Sequence, residues 1–332
     1  VNQRKVKLQI GVNGAFLTRR WEEPDNFMLL TRETGYRVHS FCGDVLDPFF
    51  SGDKAYQLVT AQSIKEAAAR HGVTICDIYT GVATHRFHGL SHSNPAVRSR
   101  MKNWIEECMD LAGMMGVSRI GGHWDAFSIE VMQDKTRADE AWRRLVETFR
   151  TLSVVAKEKG LAAIYNEQMY IPSEKPWTLA EADRFLLEVN RDRHGVPIRL
   201  TLDVGHNAGR HYGATGLDLD YLEWLRRFAA TSEIIHVQQT TPDASHHWPF
   251  KPEYNKKGHI RIPEMLEAIR RSHAEYASSP LAGVLEPVAE TYLILEYIPG
   301  STVTEERIFS DLSESAEYLH QYIPPEGLEL SL

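Results

Sequence analysis

The chain has 332 residues, 42% of them hydrophobic and 25% charged, which is the composition of a folded globular protein and excludes a fibrous or disordered one. Its 37 basic residues against 45 acidic ones give a formal charge of −8, which leaves no general basic footprint and disfavours nucleic acid as a partner. Cys42, Cys76 and Cys108 have no paired spacing, so neither a disulfide framework nor a cysteine zinc site is expected, and a reducing cytoplasm suits the chain. No uncharged apolar run reaches the ~18 residues of a membrane span, and the polar start has no apolar stretch behind it, so no membrane segment or secretory signal is expected.

Residues 7–12 read as a first strand, followed by helical character over 24–34 and then Gly35. Residues 36–42 give a second strand. Over 54–71, Leu58, Ala61, Ile64 and Ala68 recur at the helical period, and Gly72 ends the helix. A third strand over 73–79 precedes Asn94 and Pro95, an N-cap and first-turn pair. The helix they open carries Trp104, Ile105, Cys108, Leu111 and Met115 as packing residues and stops at Gly116. Residues 117–120 form the next strand, and a helix over 137–159 places Trp142, Leu145, Phe149, Leu152 and Ala156 on one face before Gly160.

Residues 161–165 lead into Asn166, Glu167 and Gln168, after which Thr178 and Glu181 have capping-box spacing, and Gly195 closes that helix. Residues 197–206, Pro-Ile-Arg-Leu-Thr-Leu-Asp-Val-Gly-His, begin as a strand buried on both faces, because no polar alternation interrupts them. A helix over 219–229, a strand over 233–237, a helix over 263–272, a strand over 291–295 and a helix over 304–319 complete the pattern. Eight strand and helix pairs without a linker predict an α/β protein with a single domain over residues 1–332, a closed (β/α)8 TIM barrel in preference to an open doubly wound sheet. The long connections 43–53, 81–93, 169–177 and 240–261 all follow strands, where a barrel carries its active-site loops.

The strand ends carry the chemistry. Asp203 taken alone reads first as the N-cap of the next helix. Glu167 after the fifth strand, His236 near the end of the seventh and Glu296 after the eighth change that reading. Side chains from adjacent strand ends converge on a barrel axis, so these four could surround one divalent cation with three carboxylates and an imidazole. The oxygen-rich set favours Mn²⁺, with Mg²⁺, Co²⁺ or Zn²⁺ as alternatives. Glu286 rivals Glu296 but precedes its apolar run, and His236 competes with His246, His247 and His259. His206 suits helix initiation and substrate hydroxyl binding equally. His123 and Trp124 could offer a polar tip and an apolar wall to a sugar, or fill an exposed loop. The stretch 209–216, with Arg210 and His211, could cradle a phosphate but has neither a P-loop nor a dinucleotide fingerprint.

The motifs Asn166-Glu167-Gln168, Leu202-Asp203-Val204-Gly205-His206, Ile235-His236-Val237-Gln238 and Leu295-Glu296-Tyr297 resemble those of sugar and sugar-phosphate isomerases and epimerases with the xylose isomerase-like barrel. The resemblance implies one metal held by Glu167, Asp203, His236 and Glu296, with Glu167 and Glu296 as the catalytic acid and base pair. It also implies Glu174 as a substrate-binding residue beside His123 and His206. Where ketose 3-epimerases of this family carry an arginine six residues after the seventh-strand histidine, this chain has Pro242, so the far end of the substrate is expected to be gripped differently. The activity implied is isomerisation or epimerisation of a small sugar or sugar phosphate through an enediolate, without nucleic acid or membrane partners and with homo-oligomerisation left open. The alternative is a metal-dependent phosphodiesterase like the barrel endonucleases of abasic DNA, which the charge of −8 disfavours.

Overall fold

The structure is a computed structural model that describes residues 5–80 and 88–332. Of the connection 81–93, residues 81–87 lie outside the described residues. Eight parallel strands run in the order β2 (Val38–Cys42), β3 (Thr74–Tyr79), β4 (Arg119–Gly122), β5 (Ala163–Glu167), β6 (Ile198–Asp203), β7 (Ile234–Val237), β8 (Glu290–Leu295) and β1 (Lys5–Asn13), and β1 pairs back onto β2. The sheet is therefore a closed barrel. Strands β5, β6 and β7 are buried at every residue, as the near-absence of polar alternation requires when helices cover one face and the barrel interior the other.

Local signals place the helices. In α1 (Lys54–His71) the Asp53 side chain accepts from the Tyr56 amide at 2.9 Å. In α2 (Pro95–Met115) Asn94 caps the start, and Gly116 ends it with φ 75°, a left-handed conformation. The helices α3 (Lys135–Glu158) and α4 (Leu179–Asn190) follow. Thr178 accepts from the Glu181 amide at 3.2 Å, but Glu181 itself receives the Trp177 amide and the Lys175 ammonium instead of closing the capping box. Gly195 acts through close approach: a Cβ there would lie 2.2 Å from the Ser153 backbone. A helix over Glu305–Leu319 closes the eighth unit.

One strand escapes the sequence pattern. Leu328–Ser331, β9, lies antiparallel against Lys5–Leu8 of β1. The pairing of β1 with β2 involves only Val12 and Asn13, so the first half of β1 has an open edge that β9 covers. Val38, Cys76, Tyr165, Ile234, Tyr292 and Ile294 pack inside the barrel, and a larger apolar layer joins strands to helices. No helix among the described residues is long and apolar enough to cross a membrane.

Candidate metal centre and active site

Glu167 is the last residue of β5 and Asp203 the last of β6. Asp203 is in register with His236 of β7. Glu296 follows β8, and its amide donates to the Val237 carbonyl at 3.0 Å. Ligand atoms of these four buried residues all lie within 4.8 Å of one another. His236 Nδ1 stands 3.1 Å from Glu167 Oε1 and 3.4 Å from Glu296 Oε2.

Three carboxylates at this separation demand counter-charge, since each pair repels by about 3 kcal/mol at an effective dielectric of 20. Imidazoles answer part of it. Burial opposes a charged His236, but Glu296 and Glu167 outweigh it and raise its pKa well above the usual histidine value. His247 is raised in the same way against its own burial, chiefly by Glu296. Burial pushes Asp203 up to about 6, with His206 pulling the other way. Burial also opposes ionisation of Glu296, yet His236 and His247 hold it well below the ordinary range. A divalent cation fits this donor set, because hard anionic oxygens and one imidazole nitrogen meet it from one side of the barrel mouth and its charge replaces those protons.

Surrounding groups fix the four. Gln168 Oε1 accepts from the Asp203 amide at 3.2 Å, while its Nε2 donates to the His206 carbonyl at 3.0 Å. His206 Nδ1 meets the Gln168 carbonyl at 2.8 Å and so carries a proton, which turns Nε2 toward Asp203 Oδ2 at 3.5 Å. Gln238 is fully buried with Nε2 3.0 and 3.2 Å from the two oxygens of Asp203. Tyr79, at the end of β3, donates its phenol to Glu167 Oε2, and burial together with Glu167 drives its pKa well above the usual tyrosine value, so it remains a donor.

A cavity of about 270 Å³ opens above the cluster, lined by Tyr79, Glu167, Tyr170, Glu174, His206, His247 and Glu296, with Met169, Ile171 and Ile298 as apolar wall. Glu174 and His206 therefore face it. His123 is buried after β4 and is not among the lining residues. Trp124 is neither sugar wall nor loop filler: it stacks on Phe149 at 5.4 Å and donates to Thr80 Oγ1 at 2.8 Å, inside the core. Arg210 and His211 are exposed and also lie outside the lining.

The loop over 240–261 contributes His247 alone to the cavity wall. His246 stacks on Trp248 with centroids 3.9 Å apart, and Phe250 is buried against Tyr318. Tyr79 and Gln238 carried no role in the sequence reasoning. Tyr79 ends the third strand as Glu167 ends the fifth, which is the signal that marks it, and Gln238 lies two residues beyond His236 on the same face.

Fold and site together define a (β/α)8 barrel with a carboxylate and imidazole centre at its C-terminal mouth. The chain belongs to the xylose isomerase-like TIM barrel family, whose sequence profile matches residues 29–278. It is 24% identical over 270 residues to D-erythrulose 1-phosphate 3-epimerase of Brucella abortus, covering 81% of this chain and 86% of that protein. The crystal structure of a Rhodospirillum rubrum protein provisionally named a xylose isomerase superimposes with a TM-score of 0.81 at 22% identity, over 96% of this chain and all of that one. D-psicose 3-epimerase of Clostridium cellulolyticum, solved with D-tagatose, gives a TM-score of 0.62 at 17% identity, over 95% of this chain and 98% of the other.

Proposed function

We propose that this protein is an isomerase, a divalent-cation-dependent epimerase or aldose-ketose isomerase of a small sugar or sugar phosphate. One observation carries the reading: Glu167 and Glu296, from strands three places apart around the barrel, converge on His236 Nδ1 and open onto the same cavity. The named relatives, D-erythrulose 1-phosphate 3-epimerase and D-psicose 3-epimerase, support a ketose and leave the phosphate open.

Glu167, Asp203, His236 and Glu296 would hold the cation, Mn²⁺ by preference, with Gln238 donating to Asp203. When bound, the cation supplies the Lewis acidity that makes the carbon beside a ketose carbonyl acidic enough for a carboxylate base of pKa ~4. One glutamate takes the proton from that carbon, and the electron pair of the broken C–H bond moves to the carbonyl oxygen. The other glutamate returns its own proton to the opposite face for epimerisation, or to the adjacent carbon for isomerisation, in which case the hydroxyl proton of the deprotonated carbon passes to the former carbonyl oxygen. The first glutamate leaves the cycle protonated and the second ionised, and exchange with solvent resets both. His206 and Glu174 orient hydroxyls, while Met169, Ile171 and Ile298 offer apolar surface to C–H faces.

The test is a panel of tetroses, pentoses, hexoses and their phosphates incubated with Mn²⁺ in D₂O. Carbon-bound deuterium in a converted sugar supports proton transfer. Conversion without label, once internal return is excluded, makes hydride shift the better mechanism.

A further inference from the structure

Besides the His236 imidazole that they share, each glutamate has a further hydrogen-bond partner, and these two come from different parts of the fold. Tyr79 closes the rigid strand β3, lies edge-on to His236 with ring centroids 4.9 Å apart, and donates to Glu167 Oε2, leaving Oε1 to face His236. His247 comes from the long loop after β7 and places Nδ1 3.2 Å from Glu296 Oε2. Its backbone is left-handed, with φ 51°, a conformation that costs free energy in a non-glycine residue. Three contacts hold it there: its amide donates to Gln238 Oε1 at 2.6 Å, Gln238 Nε2 lies 3.3 Å from Nδ1, and Ser245 Oγ lies 3.3 Å from Nε2.

We propose that Tyr79 and His247 are positioning residues, one for each glutamate, and that each governs proton transfer on one face of the substrate. The inference rests on the reading of Glu167 and Glu296 as a proton-transfer pair. A carboxylate tied at one oxygen keeps its plane, and with it the line of approach of the other electron pairs to the carbon-bound proton. Removing the tie lets the carboxylate rotate. A misplacement on the order of 1 Å costs up to about a hundredfold in rate. The two hydrogen bonds described go to different glutamates, so the consequences of losing them should separate by face.

The experiment compares Tyr79→Phe and His247→Asn with wild type, each loaded with Mn²⁺. Asparagine tolerates the left-handed backbone. The probes are D-fructose with D-psicose, D-ribulose with D-xylulose, and D-erythrulose 1-phosphate with its 3-epimer, and the pair that wild type converts fastest is used. Conversion must fall by the same factor in both directions, because the equilibrium constant belongs to the sugars. Solvent exchange need not. In Tyr79→Phe the epimer whose proton faces Glu296 should keep exchanging that proton with D₂O while conversion falls roughly ten- to hundredfold. In His247→Asn the opposite epimer should keep exchanging.

Equal loss of exchange from both epimers in either variant overturns the proposal, as does unchanged conversion, or loss of bound Mn²⁺ that accounts for the loss of rate. His247→Gln, whose amide N–H reaches one methylene further than that of asparagine, should recover part of the rate, and no recovery in a folded, Mn²⁺-loaded variant also counts against it. If wild type exchanges no carbon-bound proton in any probe, the epimerase reading itself falls, and this inference with it.

Discussion

Glu167 and His236 are 69 residues apart in the chain, yet Oε1 of one stands 3.1 Å from Nδ1 of the other. Neither would be buried and charged without a reason. Glu167 closes β5, His236 lies in β7, and β6 between them pairs Thr201 with Glu167 and Asp203 with His236. The closeness is thus a property of barrel register, and it concentrates negative charge at the barrel mouth.

Wild-type protein should bind about one divalent cation per chain, and chelation should abolish solvent exchange into sugar. Asp203→Asn removes an anionic donor and should weaken Mn²⁺ binding, read by calorimetry and by metal content after dialysis. Metal content and activity equal to wild type would show that the cation sits elsewhere.

Glu167→Gln and Glu296→Gln should each lower kcat by about a hundredfold or more, the scale of a general acid or base. Metal content is measured in the same samples, because each is also a candidate ligand. A variant that keeps its Mn²⁺ and turns over normally would remove that glutamate from proton transfer.

Gly205 leaves room for Gln238: a Cβ there would meet the Gln238 amide carbon at 2.4 Å. Gly205→Ala should push that amide off Asp203 and lower Mn²⁺ affinity by roughly tenfold, the usual effect of losing a residue that supports a ligand. Undiminished affinity would mean that Gln238 does not hold Asp203.

At the opposite end of the barrel, Glu233 accepts from Arg119 at 3.1 and 3.2 Å and from the Tyr165 phenol. Burial raises its pKa, but Arg119 and Tyr165 more than offset this, so the folded value lies below the unfolded one. The resulting stabilisation is complete above the unfolded glutamate value of ~4.3 and is lost as pH falls through the folded one. Glu233→Gln should cost about 3 kcal/mol at neutral pH and flatten the acid limb of the stability profile. Denaturant titrations between pH 3 and 7 measure both, and parallel profiles would refute the linkage.

Excising 240–261 would not spare the fold, since Phe250 and Ile260 are buried in the core. Lys251 anchors the loop to the last helix through Asp311 at 3.0 Å and Glu314 at 2.8 Å. Lys251→Met should therefore raise KM for the converted sugar more than it lowers kcat, through a loosened His247. Unaltered kinetics would show that the anchor does not reach the site.

The order of strands and helices was legible in the sequence because each unit carries local signals: Asn94 and Pro95 at a helix start, Gly116 at its end, uninterrupted apolar residues in β6. The candidate carboxylates were legible for the same reason, since Glu167, Asp203 and Glu296 each end or follow an apolar run that reads as a strand. Sequence had no means of locating β9, whose partner edge exists only because β1 and β2 diverge. It left Trp124 and His123 undivided from surface residues, although burial in the folded chain separates them at once. Nor could it choose His247 from His246: adjacent residues of one loop differ there only in backbone, where a left-handed φ and the Gln238 amide turn one imidazole onto Glu296 while the other stacks on Trp248. Local chemistry determines which residues can end a strand or cap a helix, whereas the direction in which a loop side chain points is decided by partners far away in sequence, and only tertiary packing supplies them.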